Sequence, residues 1–174
     1  GTVTIDGGRV IATGIGGGAG IGGGDRGVGA DVTVNGGRVT AIGKGGAKGF
    51  GGGNYAGGGT VRVNGGTVDA DGWHGNGLGG TATIDGGSVK TAACESQPKN
   101  GAGAPVWCVT VKVPLLAMAM EGKPLALGGL GDYGTNDVYA VKNDKGEDCV
   151  YLWLPKGTYR FSLSDGSTTY RYYA

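Results

Sequence analysis

Four stretches of this chain share one grammar: GTVTIDGGRVIATG (1–14), ADVTVNGGRVTAIG (30–43), GTVRVNGGTVDADG (59–72) and TATIDGGSVKTA (81–92). Each pivots on Asp/Asn-Gly-Gly, at Asp6, Asn35, Asn64 and Asp85, so the spacings are 29, 29 and 21 residues. A second anchor keeps step with the first in GAGIGGG (18–24), AKGFGGG (47–53) and GNGLGG (75–80). Self-similarity in this range of periods marks stacked units, none of which can bury its apolar face alone.

Aligned on the Asp/Asn, the copies form columns. Val3, Val32, Val61 and Ala82 precede it by three residues, and Ile5, Val34, Val63 and Ile84 by one. Val10, Val39, Val68 and Val89 follow by four residues, then Ala12, Ala41, Ala70 and Thr91 by six. Apolar and polar residues alternate on both sides of the Gly-Gly corner, the pattern of two short half-buried strands. Asn or Asp before Gly supplies the backbone conformations of a tight corner. Ile21, Phe50 and Leu78 add one apolar residue per repeat within glycine, enough to close a triangular cross-section with a third wall. The alternating Thr2, Thr4, Thr33, Thr60 and Thr83 suit outward ladders. Runs such as GIGGGAGIGGG (14–24) also suit packed polyglycine-II helices, but Ile15, Ala19 and Ile21 keep the required period of three only in part. The fold class expected is all-β: a short glycine-rich β-solenoid of about 3.5 coils of roughly 29 residues, followed by a small antiparallel β-sandwich.

The division follows composition. Of 44 glycines, 34 fall in 1–92, whereas 10 of the 13 aromatic residues fall between Trp107 and Tyr173, so two modules are expected. Residues 1–92 form the solenoid, CESQPKNGAGAP at the boundary makes 93–104 a linker, and 105–174 form the sandwich. In the last segment VWCVTVKV, NDVYAV, CVYLWL, TYRFSLS and TTYRYY read as strands. The DGS link at 165–167 predicts a hairpin of Thr158–Ser164 with Thr168–Tyr172. Val109, Val111, Val150, Leu152, Leu154, Tyr159, Phe161 and Leu163 are the expected inward face.

The same sequence narrows the function classes. Fifteen basic and fourteen acidic residues are scattered singly, leaving no basic stripe for nucleic acid. The longest apolar run, Val113–Met120, is far shorter than the roughly 18 residues needed to insert in a membrane as a helix. His74 is the only histidine, so neither a His-rich metal site nor a triad is expected, and it reads as a turn residue. GGGDRG (22–27) matches a calcium-binding nonapeptide only in a single, out-of-register copy. The glycine runs complete neither a dinucleotide nor a phosphate-loop fingerprint. Asp69 and Asp71 have strand spacing on one face, but so few coils offer little groove for a hydrolase or lyase. The reading is therefore non-enzymatic, with no cofactor and no metal.

The repeat unit resembles the glycine-rich repeats of large exported bacterial proteins, in which GTVTINGGxVTATG…GAGIGGG recurs. The closing PVWCVTV (105–111), DYGTNDVYAV (132–141) and YLWLPKGTYRFSLSDGSTTYRYYA (151–174) resemble small transthyretin-like sandwiches of surface proteins. This resemblance implies a secreted, cell-surface location and a structural role, and assigns no activity. In an exported chain, Cys94, Cys108 and Cys149 would give one pair and one leftover. Strand parity permits Cys108–Cys149, while Cys94–Cys108 would staple the linker.

Two functional expectations follow. The chain begins directly on a core strand, so it is expected to be a processed protein or part of a longer one. Its first coil exposes Val3, Ile5, Val10, Ala12 and Ile21, and strand edges invite addition. Head-to-tail self-assembly into a filament is expected through that coil, with either the next sandwich or the apolar run Val113–Met120, which contains Leu115, Leu116 and Met118, as the receiving surface. The alternative is an adhesin or glycan-binding module carried on a rigid stalk. Trp153, Tyr170 and Tyr172 supply the residue types of a sugar-stacking platform, against the plainer reading of core and surface aromatics.

Overall fold

The computed structural model describes residues 1–113, 123–131, 133 and 137–174. Strands are numbered in chain order. Three walls, each a parallel four-stranded sheet, enclose a thin core. The first wall stacks β1 (Thr2–Ile5), β4 (Asp31–Val34), β7 (Thr60–Val63) and β10 (Thr81–Ile84). The second stacks β2 (Arg9–Gly14), β5 (Arg38–Gly43), β8 (Thr67–Asp71) and β11 (Ser88–Lys90). The third stacks β3 (Ile21–Gly22), β6 (Phe50–Gly51), β9 (Asn76–Leu78) and β12 (Ala93–Cys94). This is a short β-solenoid.

Stacking is in register with the repeat. Val3 faces Val32, which faces Val61, and Val61 faces Ala82; Val10, Val39, Val68 and Val89 align in the same way. Ile21, Phe50 and Leu78 form the third column, whose fourth member is Cys94. Residues 93 and 94, expected to be linker, thus complete the last coil. Covered column residues lose all contact with water: Val34, Val39, Ala41 and Phe50 are 0% exposed. Each such burial contributes about 1.5–3 kcal/mol for a Val- or Phe-sized side chain. Most of the shortening of the last spacing arises at one corner. The corner between third and first walls spans 23–30 and 52–59 in two coils but only Gly79–Gly80 in the next.

Polar residues also stack. Asn35 Nδ2 donates to Asp6 Oδ1 at 2.7 Å, and Asn64 Nδ2 donates to Asn35 Oδ1 at 2.7 Å. Thr4 and Thr33 do form an outward ladder, but Arg62 interrupts it before Thr83.

From residue 107 the chain builds a sandwich. One sheet orders β13 (Trp107–Lys112), β16 (Asp148–Leu154) and β15 (Val141–Lys142); the other orders β14 (Ala126–Gly128), β17 (Arg160–Ser164) and β18 (Thr169–Tyr173). The predicted hairpin is β17–β18, with Ser164 opposite Thr169. Val111, Val150, Leu152 and Leu154 meet Leu127, Phe161 and Leu163 between the sheets, with Val109 and Tyr159 packed against them.

The second glycine of each corner triplet has positive φ, between 78° and 83° at Gly8, Gly37 and Gly66. A Cβ at Gly66 would lie 2.6 Å from the carbonyl carbon of Gly36 in the coil below, whereas at Gly8 it would meet nothing within 4 Å. In the isolated chain, Gly8→Ala is expected to cost only the left-handed backbone penalty of about 1–2 kcal/mol. Gly66→Ala adds a backbone clash and should be clearly more destabilising by chemical denaturation.

Candidate functional site: an open coil and a closed one

The two ends of the solenoid differ. At the first coil the inward residues Val3, Val10, Ala12 and Ile21 are only partly buried, although Ile5 is covered. Their column partners one coil on are buried: Val32 is 1% exposed, and Val39, Ala41 and Phe50 are 0%. β1, β2 and β3 are each the outermost strand of their wall. One side of each therefore presents backbone groups with no ladder partner among the described residues, over a partly apolar cross-section.

At the other end the chain closes itself. Lys99 bridges β10: its N–H donates to Ala82 O at 3.1 Å and its carbonyl accepts from Ile84 N at 2.8 Å. Val106, 0% exposed, joins the solenoid core together with Trp153. Trp153 Nε1 donates to Val89 O at 2.8 Å, and Tyr133 OH donates to Gly87 O at 3.1 Å while accepting from Trp153 N at 2.8 Å. Val106 and Trp153 thus stand where the next coil's column residues would be. Asp85, last of the corner series, accepts from Gly101 N and from Arg62 Nη1 instead of from another Asn.

The sandwich also lies on the flank of the second wall, and the sequence marks the spot. The outward register row runs Arg9, Arg38, Thr67, Ser88. Thr67 and Ser88 are 0% exposed: Thr67 Oγ1 accepts from Tyr139 N at 2.6 Å, and Ser88 Oγ accepts from Tyr151 N at 2.9 Å. Small hydroxyls replace arginines where the second module sits. Columns read for apolar residues alone do not show this; the change of residue type along the row is the signal that would have.

A third tether joins distant segments. Lys48 Nζ lies 3.6 Å from Glu95 Oε1 and donates to Ala56 O at 2.8 Å, while Gly80 N donates to Glu95 Oε2 at 2.5 Å. The lysine stem reaches them because Gly79 has no side chain; a Cβ there would overlap Lys48 Cδ.

The cysteine expectation is corrected. All three thiols are free. Cys108 and Cys149 do share strand parity, but Cys108 is opposite Trp153 and Cys149 opposite Lys112. Four residues of offset place them about 13 Å apart along the strands, twice the reach of a disulfide. Cys94 is not joined to Cys108 either, and burial, with a smaller contribution from Cys108, pushes its pKa up to about 12.

The structure does not gather the aromatic platform. Trp153 faces the solenoid core, whereas Tyr172 packs against the interior between the two sandwich sheets and stacks on Phe161, with ring centroids 5.3 Å apart. They lie on opposite faces of the β13–β16–β15 sheet, and Tyr170 lies beside Tyr172 on β18. His74 sits at a turn with positive φ, edge-on to Trp73. Leu115, Leu116 and Met118 lie outside the described residues.

No family model, curated protein or solved structure matches this chain. The class stands on the fold: an all-β protein in which stacked parallel coils carry a small antiparallel sandwich.

Two measurements check these assignments. Electrophoresis with and without reductant should give one mobility, and alkylation in denaturant should label three cysteines. Asp31 carries the other: hydrogen bonds from Thr60 Oγ1 at 2.6 Å and Thr60 N at 3.2 Å join two coils and hold its carboxyl below the usual range, the side-chain bond contributing most. A lowered folded-state pKa gives stability that is present above the unfolded value and lost as pH falls through the folded one. Asp31→Asn should therefore be less stable than the parent at neutral pH and converge with it in acid.

Proposed function

We propose that this is a non-enzymatic structural protein of the cell exterior that assembles head to tail with copies of itself through its open first coil. One observation carries the reading: Val3, Val10, Ala12 and Ile21 are partly exposed in columns whose next members are buried. The edge has the same register pattern by which the coils bind one another. The far end is closed by Lys99, Val106 and Trp153, so the two ends are unlike. A contact between unlike surfaces is heterologous and propagates as an open filament unless its rotation closes a ring.

The receiving surface in this arrangement is an outer strand of the sandwich. β13 and β18 are both outermost in their sheets and comparable in length to β1, so pairing with either adds a ladder across the junction. The resemblance of the repeats to those of glycine-rich bacterial surface proteins supports the external location. The locked rings and packed strands that join the modules suit a load-bearing element.

Analytical ultracentrifugation and electron microscopy of the native protein should show concentration-dependent growth of rods. Val3→Lys places a charge on the open face and should leave a folded monomer. A wild-type protein that stays monomeric at high concentration would overturn the proposal. Gly8→Ala gives an independent readout. Its added Cβ meets nothing in the free chain but points where a stacked partner would lie, so it should weaken assembly more than it weakens folding.

A further inference from the structure

At the closed end, a cleft of about 580 Å³ lies in the seam between the last coil and the sandwich, within the usual size of a small-molecule site. Its lining includes Asp85 and the turn that starts at Asn100, together with the aromatic residues Tyr133, Trp153 and Tyr159. We propose that this cleft binds a neutral saccharide, with pyranose C–H faces against the rings and hydroxyls on Asp85 and Asn100. The inference is independent of self-assembly, because the first coil takes no part in it.

The aromatic lining is fixed in advance. Tyr133 OH and Trp153 Nε1 are committed to Gly87 O and Val89 O, and Tyr159 OH donates to Pro155 O at 2.9 Å. What these side chains offer a ligand is therefore carbon surface, held in place before binding, which lowers the ordering cost. The polar lining keeps capacity in reserve. Asn100 Oδ1 accepts from Ala104 N at 2.8 Å, which orients the amide, and its Nδ2 has no protein partner among the described residues. Asp85 accepts from Arg62 at 2.8 Å and from Gly101 N, and each carboxylate oxygen retains a further lone pair for a hydroxyl donor.

Charge and polarity select the ligand class. Among the described residues Asp85 is the only acid lining the cleft, and Arg62 offsets its charge. An anion meets a carboxylate there, and a cation must compete with the guanidinium. A wholly apolar ligand would desolvate Asp85 and Asn100 without replacing their water. A neutral, hydroxyl-rich molecule with an apolar face satisfies both the rings and the polar groups.

The test is an NMR titration of the isotope-labelled full chain with cellotetraose, laminaritetraose and mannotetraose, and with tetragalacturonate as the acidic counterpart. At least one neutral probe should give saturable shifts at Asp85, Asn100 and Tyr159 at millimolar concentration. Asn100→Asp keeps the acceptor for the Ala104 N–H while removing the free donors, and should weaken that binding by about tenfold or more. The Val3→Lys monomer should bind as the parent does. Absence of saturable shifts at these residues with every neutral probe overturns the proposal. So does equal binding of tetragalacturonate, or binding unchanged by Asn100→Asp.

Discussion

Everything in this molecule depends on in-register parallel stacking of thin coils. A single coil offers one or two apolar residues per wall and cannot exclude water by itself. Placed about 4.8 Å above another coil, it satisfies its backbone on that side and covers each inward residue with its own counterpart. The columns Val34–Val63–Ile84 and Val39–Val68–Val89 are fully buried because each has a neighbour on both sides, another coil or the closing segment. The same rule explains Val3 and Val10, which have a neighbour on one side only. Exposure of Val3 and Val10 follows from position in the stack rather than residue type, although Ile5 in the same coil is covered.

The closed end shows how that rule is ended. No further strand is added across the whole coil. Instead a backbone bridge at Lys99 and two side chains (Val106 and Trp153) take over the roles of the missing coil, while hydroxyls at Thr67 and Ser88 hold the sandwich on the flank. Side chains suit this because the sandwich strands do not share the solenoid's register. A hydroxyl or an indole N–H reaches a backbone group that strand pairing would not align with. The junction is thus a set of directional contacts over a small apolar plug, in which the indole N–H of Trp153 and the hydroxyls of Tyr133, Thr67 and Ser88 are paired within the protein.

Much of the architecture was legible in the sequence because its period is strict. Column positions, the third wall at Ile21, Phe50 and Leu78, the β17–β18 hairpin and the inward sandwich face all follow from alternation and turn chemistry. What escaped was non-periodic. Cys94 completes the third wall but lies in text with the composition of a linker. Parity placed Cys108 and Cys149 on one face of their sheet, yet parity is blind to register, and a four-residue offset separates them. Trp153 and Tyr172 belong to neighbouring sheets with opposite partners, which residue type alone does not reveal. The cleft needs Asp85 and Tyr159 brought together across 74 positions, a proximity created only when the modules dock.

The outward row Arg9–Arg38–Thr67–Ser88 has a consequence for how such a chain can change length. Among the described residues only the last two members hydrogen-bond to the sandwich, while Arg9 is exposed and Arg38 half-buried. Duplicating a coil of the Arg-bearing kind would lengthen the shaft by about 4.8 Å and leave the docking seam untouched. Duplicating a Thr- or Ser-bearing coil would put a small hydroxyl where no module sits. The molecule therefore carries, in one residue position per coil, a distinction between interchangeable segments and the fixed terminus, and growth by tandem duplication is tolerated from one direction only.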